Sequence, residues 1–503
     1  MTMKKLTATL LCGMLTFCTV ACGSTSGGNS SNLSTNSSSG DLNQNTAETG
    51  DTTGGAEDYF SWDENSHSWV PSSTKPEITT ITYWSDAAAE EEIRTKQVEK
   101  FNSTIGQQYG IKMELTYFGG DYHDTVKTAA QSGSLPEIVK QDSKWLLDLI
   151  DGGCLIPYED MPGSEELIAK YSGSLSPQSQ IINGKTYTLP GSLTTYGFVI
   201  NRTLWEKAGL SVDDYPKTWD DVVEKAEYIT KNVDGAYGLA ISSTLWTVSS
   251  WYTFGLGESI GHYGYDWNNK KFAYSDYDEF VKDVDKLCDE GCVVPGWTAL
   301  DADGARAAFA TGNVAMIGGA SFDCAAYNNT YPCDFDWDVI EMPKLVSSKI
   351  DGKRFGLVTN LACVCNTAAE SEEKLAKTLK CIELLYSDES FAELYSAGLY
   401  IPFRKEAIEL GTTPELKNYD KWATWDEMFY MPMVPDNYIT FEGKAYRQVM
   451  VDAWANPGID DVDALMADVD ERYNAALEEA RKENGDVIDL YVIPDGTSPE
   501  KGK

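Results

Sequence analysis

Three short stretches place planar or hydroxyl-bearing side chains where a β-branched or apolar run stops: Trp84-Ser85-Asp86, Gln141-Asp142 and Thr195-Tyr196. A flat ring stacks on the C–H face of a sugar, while Asp, Gln and Thr supply the donors and acceptors that hydroxyl groups need. Residues at the carboxyl ends of strands in an open α/β sheet converge on one crevice, so these positions form a candidate binding set. Other chemistries lack their parts. There is no Gly-x-Ser-x-Gly, no His-Glu-x-x-His and no phosphate-cradling glycine loop. The run "CVC" (363–365) puts two sulfurs on one face of a strand, but with three isolated histidines in the chain these cysteines read as small buried hydrophobes. "DADG" (301–304) echoes a calcium loop without the later glutamate that such a loop requires. No metal and no cofactor is expected.

The elements that must position the candidates alternate. "EITTITYW" (77–84) reads as a strand, followed by a helix carrying Ile93, Val98, Phe101 and Ile105 on one face. "IKMELTYF" (111–118), a helix through Val126 and Ala130, and "PEIVKQ" (136–141) follow. Strand, helix, strand, helix, strand is the pattern of a parallel doubly wound sheet. A second cycle includes the apolar strand "GFVIN" and a helix opened by Thr218-x-x-Asp221. The strand "FGLVTNLACVCN" (355–366) then leads to a helix that Thr367-x-x-Glu370 would cap. The last element, 463–484, carries Leu465, Val469, Tyr473, Leu477 and Ala480 as a stripe.

Length and charge bound the class. The 503 residues suffice for two or three lobes, and 78 acidic against 40 basic side chains give a net charge of −38. Such a surface repels phosphate backbones, so no nucleic-acid partner is expected. Lys4 and Lys5 precede an apolar run, Leu6 to Ala21, too short to span a bilayer. "TVAC" ends it and resembles the bacterial lipobox, with Thr19 where leucine is usual. That resemblance makes 1–21 a lipoprotein signal peptide and Cys22 the lipidated first residue of the mature chain. Removing 1–21 takes away Lys4 and Lys5 and no acid, leaving −40. Residues 23–57 hold no aromatic, Val, Ile, Lys or Arg, and read as a flexible tether with a reach of roughly 30–35 Å. Segment 58–76, with Tyr59, Phe60, Trp62 and Trp69, reads as an arm packed on the domain surface. Eight cysteines follow Cys22 in a compartment that permits disulfides, Cys324 and Cys333 being the nearest plausible loop pair.

In order along the chain, "SGSLPEI" (132–138), "GGCLIPYED" (152–160), "NGKTYTLP" leading to "FVINRTLWEKAGL", "YPKTWDDV", "AFATGNVAMIGG" and "GLYIPFRKEA" resemble the extracellular solute-binding proteins of ABC importers. The likeness covers roughly 77–485 and is to the branch similar to maltose- and oligosaccharide-binding proteins. It implies an α/β fold of two doubly wound lobes, type II among periplasmic binding proteins, with a hinge and a ligand cleft between them. The implied crossovers lie near Val199–Asn201, Val358–Leu361 and Pro402–Glu406. Lobe one is then 77–199 with 361–402, and lobe two 202–358 with 406–490.

The same resemblance adds Phe322, with Asp323, after "AMIGGAS" and Trp425 in "KWATWDEM"; Trp251 and Trp297 join as aromatics in the connections of the second lobe. The expected ligand set is Trp84, Asp86, Gln141, Asp142, Tyr196, Trp251, Trp297, Phe322, Asp323 and Trp425. The implied function is non-enzymatic: a monomeric receptor, lipid-anchored on the outer face of the bacterial cell membrane, that captures a carbohydrate and delivers it to ABC permease subunits. A tethered glycoside hydrolase is the alternative, since the same acids and rings would suit one. A peptide or a polyol would also satisfy these groups.

Overall fold

The segment "TTITYWS" alternates as a half-buried strand must: Ile81 and Tyr83 point into one core while Trp84 packs on the opposite face. In the computed structural model, which describes residues 59–503 except Asp142, Asn360, 424–427 and 457–460, this strand lies inside a five-stranded sheet. Its order is Ile111–Tyr117, Thr79–Ser85, Ile138–Lys140, Ala362–Cys365, Leu155–Ile156. The period of two continues across it. Ile138 and Val364 join one core, whereas Val139, Cys363 and Cys365 join the other with Tyr122 and Val126.

The second sheet is built on the long buried strand Ser192–Asn201. Along one edge this strand pairs with Val314–Ala320, which in turn pairs with Tyr237–Ala240. Trp337–Ile340 pairs with its C-terminal half and Arg354–Thr359 with its N-terminal half. Glycine at 318 is a packing necessity, since a Cβ there would stand 2.4 Å from the Trp251 carbonyl and 2.6 Å from the Tyr252 ring. One large core of aromatic and aliphatic side chains surrounds this sheet. The α/β two-lobe architecture matches the expectation, but the sheets are mixed. Ala362–Cys365 runs antiparallel to Ile138–Lys140, and Ser192–Asn201 is antiparallel to four of its partners. A strand returning from the other lobe enters its sheet from the shared edge and so runs against strands that enter from a helix.

Three passing segments meet at one point. Ser192 pairs with Thr359 and Pro402, and Leu193 pairs with Val358 and Ile401. The first crossover therefore lies at Ser192, seven residues before the expected Val199–Asn201, because 192–199 bond to the second sheet throughout. Helix Lys405–Leu410 likewise packs on helix Asp388–Ser396, and its Ala407 joins the first-lobe core, not lobe two.

Local signals resolve in detail. Thr218 and Asp221 form the expected reciprocal box at the start of Trp219–Asn232. Thr367 does not cap the helix Glu372–Leu385. Its hydroxyl donates to the Pro136 carbonyl at 2.7 Å, and Ser371 accepts from the Lys374 N–H instead. In "DADG", Asp301 accepts from the Gly304 N–H at 2.8 Å and caps Ala302–Ala310. In the last helix, Val462–Ile488, Val469, Tyr473 and Leu477 are buried as expected, and Val462 and Met466 join them. Cys324 and Cys333 are not bonded to each other, and neither takes part in a disulfide. Residues 59–72 form a hairpin whose Phe60 ring stacks on Tyr109 at 4.6 Å, with Trp69 edge-on to Tyr109 at 4.9 Å. No helix among the described residues is long and apolar enough to cross a membrane. Cys22, the signal segment and the tether lie outside the described residues.

Candidate ligand-binding site

Where the three passing segments meet, a cavity of about 530 Å³ opens between the two sheets. That size lies within the range of small-molecule sites. Leu193, Thr194, Tyr196 and residues 357–359 form its floor. Lys140, at the carboxyl end of a first-sheet strand, and residues 398–401 line the first-lobe side. The second lobe contributes most of the rest, largely aromatic.

Two rings present open faces. Trp246 and Phe322 are 39% and 41% exposed and meet edge to face, 6.1 Å between centroids. Trp246 lies in the helical turn Leu245–Thr247, which winds wider over Val248–Thr253, and Ser249 and Ser250 from that π-helical turn also reach the cavity. Phe322 sits in the turn after Val314–Ala320. Beneath both rings lies Arg306, its guanidinium carbon 5.8 Å from the Trp246 centroid, 5.9 Å from Phe322 and 5.3 Å from buried Trp251. Arg306 Nε donates to Asp323 Oδ1 at 2.7 Å, and Asp323 Oδ2 accepts the Ala320 N–H at 2.8 Å. Burial pushes the Asp323 carboxyl upward; Arg306 and the Ala320 N–H oppose that shift.

The far wall is a stack. Tyr274 and Tyr446 lie 4.1 Å apart and 17° from parallel, and the Tyr446 hydroxyl accepts from Arg447 Nε at 3.0 Å. Tyr263, Met431, Met433 and the exposed Asp436 complete this side. Tyr196 is fully buried against the floor, and its hydroxyl has no hydrogen-bond partner among the described residues.

Of the ten expected ligand residues, Tyr196 and Phe322 line the cavity. Asp86 stands one step behind it, paired with Lys140 at 2.7 Å. Trp84 is not a lining residue; it packs on Phe118 at 4.9 Å, the strand's pleat having turned it to the first-lobe core. Gln141 is buried, with Oε1 2.9 Å from His123 Nδ1. Trp251 and Trp297 are core residues of the second lobe. Asp323 is fully buried and serves the turn that holds Phe322. Asp142 and Trp425 lie outside the described residues. Sequence reasoning missed Trp246, Tyr274, Tyr446, Arg447 and Lys140. Trp246 was within reach, five residues before Trp251 in the same segment.

A family model for bacterial extracellular solute-binding proteins matches residues 96–424. The chain belongs to this family. Putative binding proteins of Brucella abortus and Brucella suis are 24% identical over 199 residues, 39% of this chain and 46% of theirs, so the match spans about half of those relatives. Among solved structures, the sugar-binding protein MalE of Xanthomonas citri aligns at TM-score 0.60 with 16% identity, over 80% of this chain and 98% of its own. The GacH receptor of Streptomyces glaucescens, solved unliganded and with acarbose, gives 0.59 and 19%, over 81% and 100%. RafE of Streptococcus pneumoniae in its apo form gives 0.58 and 17%, over 80% and 99%. At these identities the likeness establishes the fold of this solute-binding protein.

Proposed function

We propose that the protein is a receptor that captures a carbohydrate, an oligosaccharide in the first instance, between its two lobes and hands it unchanged to an ABC permease. The observation that carries this reading is the pair of exposed rings, Trp246 and Phe322, on the wall of a cavity floored by the crossover strands. Two adjacent exposed rings on a cavity wall form an apolar patch that a ligand can cover, and a sugar's C–H face does so. Serine and threonine hydroxyls and two cations offer polar contacts beside the rings. The named partners of similar structures, raffinose for RafE and acarbose for GacH, are sugars.

Binding without turnover fits the charge arrangement. Glycoside hydrolysis uses two carboxylates ~5–10 Å apart across the bond, and Asp436 is the single carboxylate among the described lining residues. Closure would pivot where Ser192, Thr359 and Pro402 meet, offering the permease an altered surface. We further read Cys22 as the lipid anchor, residues 23–57 as its leash and the outer membrane face as the working place of a monomer, since a receptor without a channel must stay beside the permease it feeds. Thermal-shift screening of the protein against an oligosaccharide panel, with chromatography of each ligand afterwards, tests this. Stabilisation by at least one sugar, recovered intact, is the expected result; cleavage products, or no shift with any sugar, would refute it.

A further inference from the structure

The chain carries almost two acids for every base, so an arginine that makes no ion pair stands out, and Arg447 is one, although the charge of the exposed Asp436 on the same wall reaches it. Six of the eight arginines form an ion pair within 4 Å, and Arg354 donates to the carbonyls of Tyr196 and Lys421. Arg447 differs from all of them. Its Nε donates to the Tyr446 hydroxyl, and its two Nη amino groups have no hydrogen-bond or ion-pair partner among the described residues. It is only partly exposed, and it lines the cavity.

An arginine so placed has most of its donors unspent. A guanidinium has five N–H groups in a planar fork that matches a carboxylate bidentately, and here one of the five is used. The fork is also held in place. Nε is fixed by the Tyr446 hydroxyl, and the Tyr446 ring is itself clamped on Tyr274 at 4.1 Å. Little side-chain freedom is therefore left to lose when an acceptor arrives. Across the cavity, Lys140 is a second cation, already paired with Asp86. The described ionisable side chains of the wall, tyrosines aside, are thus two cations and the exposed Asp436, the reverse of the balance in the whole chain.

We propose that the ligand is an acidic oligosaccharide, with the carboxylate of a uronic acid unit seated on the Nη fork of Arg447 and its neighbouring sugar units on Trp246 and Phe322. This rests on the carbohydrate reading above and sharpens it. A neutral sugar would satisfy the rings but leave a half-buried guanidinium with hydroxyl acceptors alone, a weaker pairing than a charge-assisted one.

The test is calorimetric titration with oligosaccharides of galacturonate, of mannuronate and of xylose bearing a glucuronate branch. Each is run against its carboxyl-reduced form, which has the same linkages and no charge. For the member that binds best, the acid form is expected to bind about tenfold or more tightly than the reduced form. Arg447→Gln should abolish that preference, lowering the affinity for the acid form about tenfold more than the affinity for the reduced form. Arg447→Lys, which keeps the charge and loses the fork, should restore only part of the preference. Equal or tighter binding of reduced and neutral sugars overturns the assignment of Arg447 while the receptor reading stands. No binding by any acidic or neutral sugar overturns both. The wild-type comparison decides the matter even if a variant fails to fold.

Discussion

Replacing Asp323 by asparagine keeps the side chain's shape and removes its charge. In the native protein one carboxylate oxygen accepts from Arg306 Nε at 2.7 Å and the other from the Ala320 N–H at 2.8 Å; Asp323 is fully buried and Arg306 nearly so. The amide can still accept from Ala320, but it cannot neutralise Arg306. Removing one partner of a buried pair costs about 3–5 kcal/mol. Asp303, 2.8 Å from Arg306 Nη1 but largely exposed, returns a little, so about 3 kcal/mol is expected. With an unfolding entropy of about 2.1 cal/mol/K per residue over Ala56–Lys503, that loss lowers the apparent Tm by about 3 °C. Scanning calorimetry without ligand reads it. Affinity for the best oligosaccharide should fall as well, because Arg306 lies within 6 Å of the ring centroids of both Trp246 and Phe322. Lost binding with an unchanged Tm would refute the reasoning, since it would mean that Asp323 touches ligand directly.

Phe322→Ala and Trp246→Ala should each weaken sugar binding about tenfold, the scale of one aromatic stacking contact, with stability changed by less than about 1 kcal/mol since both rings are open; titration and thermal melts separate the two effects. Gly318→Ala should cost about 2 kcal/mol or more, because its Cβ would stand 2.4 Å from the Trp251 carbonyl in the packed helical turn Val248–Thr253; urea unfolding measures it. Burial raises Glu258 from its ordinary 4.5 to about 7 against the pull of Arg354 and the Phe355 N–H. The folded chain then binds this proton more tightly than the unfolded one, so the contribution is complete below pH 4.5 and is lost as pH rises to 7. Asp283, raised to about 7 by burial and by Glu279, has the same sign. Glu258→Gln should flatten this slope and stabilise the protein at pH 8 by about 2 kcal/mol, the full shift being discounted for partial exposure; unfolding across pH 4–8 checks it.

Much of the fold was legible because it is written in local periodicity. The alternation in "EITTITYW", the Thr218–Asp221 box and the apolar run "GFVIN" (197–201) each mark an element without reference to distant residues. Strand direction was not legible. Whether Ala362–Cys365 runs with or against Ile138–Lys140 depends on which edge the chain re-enters, and no residue type encodes that. The site was readable only in part for a related reason. Position at a strand end does not say which face a side chain takes, so the sequence makes Trp84 a ligand candidate although its pleat packs it on the first-lobe core. Asp323 follows an exposed ring, but its partner Arg306 lies 17 residues away on another element. Tyr446 and Arg447 open a helix outside every predicted strand end, and only the packing on Tyr274 brings them to the cavity.

The central claim is that a sugar occupies the cavity between the two sheets. A crystal structure of the protein with its best-binding oligosaccharide tests that most directly. The account predicts sugar density in contact with Trp246, Phe322 and the Arg447 fork, with the crossover strands beneath it. Density for the sugar anywhere else on the protein, with this cavity empty, would contradict it.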